Sequence, residues 1–371
     1  MNNDIIYPNL VLDALRTVRY PGTGKDIVSE GMVADDIRID GRRVSFSIIF
    51  EKNTDPFARS VVRAAEAAIL THIGEDVDIK DNITIATKAP AAKAPAPVLP
   101  GVRNIIGIAS GKGGVGKSTV AANLAVALAR EGYKVGVLDA DIFGPSMPKI
   151  FGVEGQQLYM RTDEAGQNLI VPAENYGVKL LSIGFLVERD SAVLWRGSMV
   201  STALRQLITQ GDWGDLDYFV IDMPPGTSDI HLTLVQTLPI TGVVIVSTPQ
   251  QIALDDARKG IAMFRGDKVD VPVLGIVENM AWFTPEQHPD ERYYIFGNGG
   301  AVDLAKELDM PLLAQIPLVA SVGRHNDDGI PVAAGDGLGA QSFIHLAHEV
   351  TDAVERRNAT LPPTHVVQVK H

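Results

Sequence analysis

Between residues 101 and 357, short apolar runs alternate with stretches whose apolar residues recur every three to four positions. The short runs, rich in β-branched residues, predict strands at 104–109, 135–138, 179–183, 218–222, 243–247, 273–277 and 312–316. The longer stretches predict helices at 117–131, 199–210, 230–237, 250–265, 301–308 and 340–356. A strand that is apolar at every position must be covered on both faces, so the expected body is α/β, a mostly parallel sheet between helical layers. Ligands on such sheets gather at the carboxyl ends of the strands.

The region before it follows other rules and reads as a small α+β domain over 1–86. A helix is expected at 9–18, and strands at 37–40 and 44–50 flank Asp40-Gly41, a pair suited to a hairpin turn. Val44, Phe46, Ile48 and Phe50 alternate with smaller or polar residues, which predicts one buried face. Asp55 and Pro56 form a cap and first-turn pair for a helix ending near Ile73. Residues 87–100 are rich in alanine and proline, a composition that builds an extended spacer rather than a core. The expected organisation is therefore 1–86, a linker over 87–100, a body over 101–357 and a flexible tail over 358–371. In the last helix Phe343, Leu346, Ala347, Val350 and Val354 form one stripe, the spacing of a helix docked on its own core. It lacks a Lys/Arg-rich face for a membrane.

Chemistry enters where the first body strand meets its helix. Gly111-Lys112-Gly113-Gly114-Val115-Gly116-Lys117-Ser118-Thr119 matches G-x-x-x-x-G-K-[ST] between a strand and a helix. Glycines let the backbone curl so that amide N–H groups point at phosphate oxygens, and the helix adds the positive end of its dipole. Lys117 is expected on the β- and γ-phosphates of ATP and the Ser118 hydroxyl on Mg²⁺. Asp222, at the end of the apolar run Tyr218-Phe219-Val220-Ile221, is expected to hold the same Mg²⁺ directly or through water. Asp139 and Asp141 stand two residues apart at the end of the second body strand; one is expected to orient the attacking water while the other supports the metal shell.

Composition narrows the function classes. The net charge of −12 opposes a nucleic-acid backbone, so no nucleic-acid partner is expected. No apolar run approaches the ~20 residues that span a bilayer, and the N-terminal residues lack the pattern of a secretory signal, which together predict a cytoplasmic protein without membrane attachment. The chain has no cysteine, which excludes disulfides, a cysteine nucleophile and thiolate-held metal or iron–sulfur clusters.

Several segments, in order, carry a resemblance. They are Ser110 to Ser118, Asp139-Ala140-Asp141-Ile142-Phe143-Gly144-Pro145-Ser146, Ser182 to Phe185, Trp195-Arg196-Gly197, Asp222 to Asp229, Val277-Glu278-Asn279-Met280, Tyr294 to Gly297 and Ile316 to Leu318. From residue 103 to about 332 the chain resembles the Mrp/ApbC family of ATP-dependent iron–sulfur cluster carriers, P-loop ATPases of the MinD and nitrogenase iron-protein type with a deviant Walker A motif. The head resembles the small domain that precedes the ATPase in many Mrp proteins and is also associated with iron–sulfur assembly. The resemblance implies a nucleotide-switched homodimer that hydrolyses ATP, slowly without a partner, and works with iron–sulfur assembly or client proteins. It implies that Lys112 reaches across the dimer to the partner's nucleotide and that Asp141 positions water. It also implies that the Gly226 N–H meets the γ-phosphate and that Asn279 reads the adenine edge. The alternative function is a MinD/ParA-like switch ATPase or nucleotide-dependent adaptor outside iron–sulfur metabolism.

The chain departs from that family where cluster-carrying members place a Cys-x-x-Cys: residues 281–292 hold no thiol. Glu286, His288 and Asp290 in this stretch suit a metal, or the stretch packs on a second subunit through Trp282 and Phe283. Trp195 and Arg196 suit a dimer anchor or a core tryptophan beside a surface arginine. His231, just after the Asp222 to Asp229 segment, suits a nucleotide sensor or an ordinary helix-start residue.

Overall fold

The structure is a computed structural model that describes residues 6–50, 55–87, 98–142, 144–186, 197–266, 269–285, 287–288, 290–319, 322, 325 and 327–367. Trp195, Arg196, Glu286 and Pro289 lie outside these residues. The chain divides into two compact units, Met1–Ala96 and Pro97–His371.

The first unit holds α1 (Pro8–Leu15), β1 (Arg38–Asp40), β2 (Arg43–Phe50), α2 (Ala58–His72) and β3 (Ile83–Thr87). Its sheet has the order β1-β2-β3, with β1 antiparallel and β3 parallel to β2. The alternating Val44, Phe46, Ile48 and Phe50 are buried and share a core with Leu15, Val61, Ala65 and Ile69. The second helix begins later than Pro56. Asp55 accepts the Phe57 N–H at 2.8 Å and the Tyr20 hydroxyl at 2.5 Å, so its carboxylate closes the turn ahead of α2. Strand β3 has no counterpart among the expected elements; its pairing partner β2 lies far back in the chain, where local patterning cannot reach it.

The second unit runs β4 (Val102–Ala109), α3 (Lys117–Arg130), β5 (Val135–Asp139), the short turn of helix α4 (Met147–Ile150), and the short strands β6 (Met160–Thr162), β7 (Asn168–Ile170) and β8 (Ala173–Asn175). It continues with β9 (Val178–Ser182), α5 (Gly197–Gln210), β10 (Leu216–Asp222), α6 (Asp229–Thr237), β11 (Gly242–Ser247), α7 (Gln251–Arg265), β12 (Val273–Phe283), α8 (Gly300–Glu307), β13 (Leu312–Leu318) and α9 (Leu338–Thr360). Eight strands form one sheet in the order β13-β12-β11-β4-β10-β5-β9-β8, parallel except for β8 on β9. Helices α3 and α9 pack on one face, and α5 to α8 pack on the other. Val120 to Leu128 of α3 are buried all round, because the helix lies between the sheet and α9. β6 and β7 form a separate two-stranded ribbon.

Two features depart from expectation. Strand β12 runs on to Phe283, and Phe283 exchanges backbone hydrogen bonds of 2.8 and 2.9 Å with Tyr293, closing the intervening loop. Residues 358–367, expected as a flexible tail, are held: 358–360 continue α9, Thr364 Oγ1 donates to the Pro239 carbonyl at 3.0 Å, and the Val367 N–H donates to the Val235 carbonyl at 3.1 Å. Among the described residues no helix is long and apolar enough to cross a membrane.

Candidate functional site

Neighbouring β4, β10 and β5 end side by side, which brings the loop after Ala109, Asp222 and Asp139 to one edge of the sheet. The loop climbs over that edge into α3. Gly116 caps α3 in the left-handed region (φ 82°), a conformation that side-chain-bearing residues rarely hold. A Cβ on Gly111 would strike the α7 backbone at Asp256, so only glycine lets loop and helix approach this closely. The result is a cleft of about 350 Å³ lined by the loop from Ser110 to Thr119 together with Asp141, Ser146, Lys149, Ile150, Pro225 and Asp327.

Lys117 sits on the floor of the cleft, only 6% exposed. Its ammonium donates to Asp222 Oδ1 at 2.5 Å and lies 3.5 Å from Asp141 Oδ2 and 3.4 Å from Ser118 Oγ. The two carboxylates act as counter-ions for a cation taken out of water. Each keeps an unused oxygen: Asp222 Oδ2 and Asp141 Oδ1 are buried without a hydrogen-bond partner, as is the Ser146 hydroxyl. Burial raises the Asp222 carboxyl above its ordinary value, with the Lys117 charge pulling the other way. Lys112 is exposed at the mouth, its carbonyl held by Ser110 Oγ at 3.0 Å, and its ammonium has no carboxylate partner among the described residues.

Asp139 is placed differently from its expected role as a metal ligand. It is fully buried, and both oxygens are taken: Oδ1 accepts the Asp141 N–H at 3.2 Å, while Oδ2 accepts the Met147 N–H at 3.2 Å and the Ser182 hydroxyl at 2.8 Å. It ties down both ends of the segment that carries Asp141 and Ser146. Burial, and then the charge of Asp222, push its pKa up to about 7, against the pull of its three donors. Ser182, the β9 residue that grips it, lies 43 positions away; the motif containing it was visible in the sequence, but its task was not.

Gly226 and Asn279 also have partners other than the expected ones. The Gly226 N–H donates to the Ser110 carbonyl at 2.9 Å, which ties it to the loop in this structure. The Asn279 amide donates to the Val115 carbonyl at 2.8 Å and lies under the loop at Gly116, outside the lining of the cleft. Beside it Glu278 is fully buried, accepting the Ala301 N–H at 2.8 Å and the Gln315 amide at 2.5 Å. His231 is 1% exposed, and its Nδ1 accepts the Ser228 N–H at 3.1 Å in a capping box at the start of α6. Burial, the largest cause, lowers its pKa and so favours the neutral ring. Lys149 and Asp327, paired at 2.7 Å on the rim, come from distant parts of the chain with no local motif to mark them.

In the thiol-free stretch 281–292, the Arg292 guanidinium stacks 4.3 Å from the centroid of Trp282, beside the Phe283–Tyr293 bridge. Among the described residues no group of three His, Cys, Asp or Glu side chains is arranged to hold a metal; Glu286 is not among them.

Comparison with known proteins agrees with this geometry. Residues 101–351 match the family described as NUBPL iron-transfer P-loop NTPase, and residues 9–80 match the family described as iron-sulfur cluster assembly protein. An iron-sulfur cluster carrier protein of Synechocystis is 41% identical over 93% of this chain and 97% of its own length. The iron-sulfur cluster transfer protein NUBPL of Mus musculus is 48% identical over 67% of this chain and 77% of its own. A nucleotide-binding protein from Archaeoglobus fulgidus, solved in complex with ADP, is 39% identical and superposes with a TM-score of 0.54 over 62% of this chain and 88% of its own. The chain belongs to the NUBPL-type family of iron–sulfur cluster carriers, P-loop NTPases with an α/β nucleotide-binding fold.

Proposed function

We propose that this chain binds MgATP in the cleft at the strand ends, hydrolyses it, and works as a nucleotide-switched homodimer in iron–sulfur cluster assembly or transfer. The observation that carries the reading is the buried Lys117 ammonium held between Asp222 and Asp141 under a glycine-rich loop. These counter-ions are exchangeable. Phosphate oxygens entering the loop would take over Lys117 through charge-assisted bonds, leaving both carboxylates with unsatisfied oxygens. Ser118, Asp222 and Asp141 offer hard oxygen donors, two of them buried and unpartnered, which suit Mg²⁺. When bound there the ion would neutralise triphosphate charge.

The other roles follow. Asp141, whose backbone is held by Asp139, is the group placed to orient the attacking water. The backbone from Gly111 to Thr119 cradles the phosphates. Asp139 and Asn279 brace the site from behind. A γ-phosphate would compete with Ser110 for the Gly226 N–H, so its arrival or loss would move the segment leading into α6. The exposed Lys112, without a carboxylate partner among the described residues, is free to meet the phosphates bound by a second copy.

The cluster itself does not fit this chain's own residues. Thiolates are its usual ligands, and there are none. We therefore read the cluster as substrate held by a partner's cysteines, with this chain as the nucleotide-gated scaffold. Phosphate release by the purified chain tests the catalytic reading. Slow, Mg²⁺-dependent turnover is expected, faster with a cluster-assembly partner and abolished in Asp141→Asn. Tight ATP binding with no release under any of these conditions would leave a nucleotide-dependent adaptor instead.

A further inference from the structure

The sheet has a second pole. At the amino ends of the strands, opposite the nucleotide cleft, the segment 361–367 folds back over the ends of α6 and α9 and lines a half-open groove of about 400 Å³. Its walls are mostly apolar, among them Val235, Leu238, Ile240, Val271 and Val367. A second cavity of about 320 Å³ adjoins it, and Arg357 belongs to the lining of both.

Arg357 is anomalous. It is 8% exposed, yet no carboxylate pairs with it among the described residues. Its guanidinium donates to two neutral oxygens, Asn358 Oδ1 at 3.1 Å and the Pro362 carbonyl at 2.7 Å, and its Nε has no partner. Elsewhere in this unit arginines with ion pairs are more exposed: Arg130 meets Asp336, and Arg258 meets Glu307. A buried guanidinium without a counter-ion is costly, and burial alone, with no carboxylate to oppose it, pulls its pKa down. Nothing in the nucleotide site uses it.

We propose that this groove binds a small amphipathic carboxylate, the acid group paired with Arg357 and the apolar body lying between Leu238, Ile240 and Val271. A planar carboxylate matches the guanidinium fork, and the cavity lies in the size range of small-molecule sites. Arg357 is the one Arg or Lys in a mostly apolar lining, with the exposed Asp270 and His365 at the rim, a charge balance that disfavours a polyanion such as a nucleotide. The inference is independent of the nucleotide reading.

Calorimetric titration of the full chain with octanoate, octanol and acetate tests it. Saturable binding of octanoate is expected, with octanol and acetate at least about tenfold weaker, because each lacks one half of the recognition. In Arg357→Gln the preference for octanoate over octanol is expected to disappear while MgATP binding is unchanged, which also reports that the variant is folded. Equal binding of octanoate and octanol to the unaltered chain, or no saturation by octanoate, would overturn the proposal without recourse to any variant.

Discussion

The Lys117 ammonium lies 2.5 Å from Asp222 Oδ1, inside a site where Asp222 is fully buried and Lys117 nearly so. An ion pair this deep gives up hydration on both sides, and its net contribution to stability is small. Under the proposed function its use lies in exchange: the cation and the carboxylate satisfy each other here, and a bound nucleotide would release each to a new partner.

Asp139 makes a pH prediction. Its folded-state pKa, about 7, lies above the ordinary 3.8, so the folded protein holds this proton more tightly than the unfolded chain does. The contribution favours folding at low pH and is lost as pH rises from about 4 to about 7, by roughly 2–4 kcal/mol. Asp222 is raised by burial too and acts in the same direction. The stability difference between the nucleotide-free chain and Asp139→Asn, followed by denaturation across that window, should fall with rising pH and level off above it. A difference that grows with pH would contradict the assignment.

Ser182→Ala removes one donor from a buried carboxylate and leaves the Asp139–Met147 segment less firmly held. A stability loss of about 1–3 kcal/mol is expected, together with slower ATP turnover, because Asp141 is carried on that segment. Urea denaturation and phosphate release measure the two effects; no change in either would show that Ser182 does not position the switch.

Lys112→Ala tests the dimer. Light scattering on the full chain should show ATP-dependent association for the unaltered protein and loss of that dependence in the variant, with ATP binding weakened far less than by a change at Lys117. ATP-dependent association that survives in Lys112→Ala would remove the cross-dimer role.

Anaerobic incubation with iron and sulfide should give no stable chromophore and no stoichiometric iron, since the chain has no thiolate. A stable cluster would show that other side chains replace cysteine here.

The alternating residues of β2, the apolar strands of the body and the glycine-rich loop were all legible, because each is local patterning that the structure repeats. The structure brings Asp139, Gly226 and Asn279 beside the loop, and the partners they take there were not legible. Ser182, Ser110 and Val115 meet them only after the sheet has formed. The tail misled for the same reason: Thr364 and Val367 look solvated until Pro239 and Val235 are brought beneath them. Arg357 carried no motif, and its unpartnered Nε, with no counter-ion among the described residues, is visible only in three dimensions.

The most direct test of the central claim is calorimetric titration of the intact chain with MgATP. One site per chain is expected, with affinity reduced about 100-fold in Lys117→Ala, the scale of a lost bond between a lysine and phosphate. No heat of interaction between the folded chain and MgATP, or equal affinity in the variant, would contradict the account of the cleft.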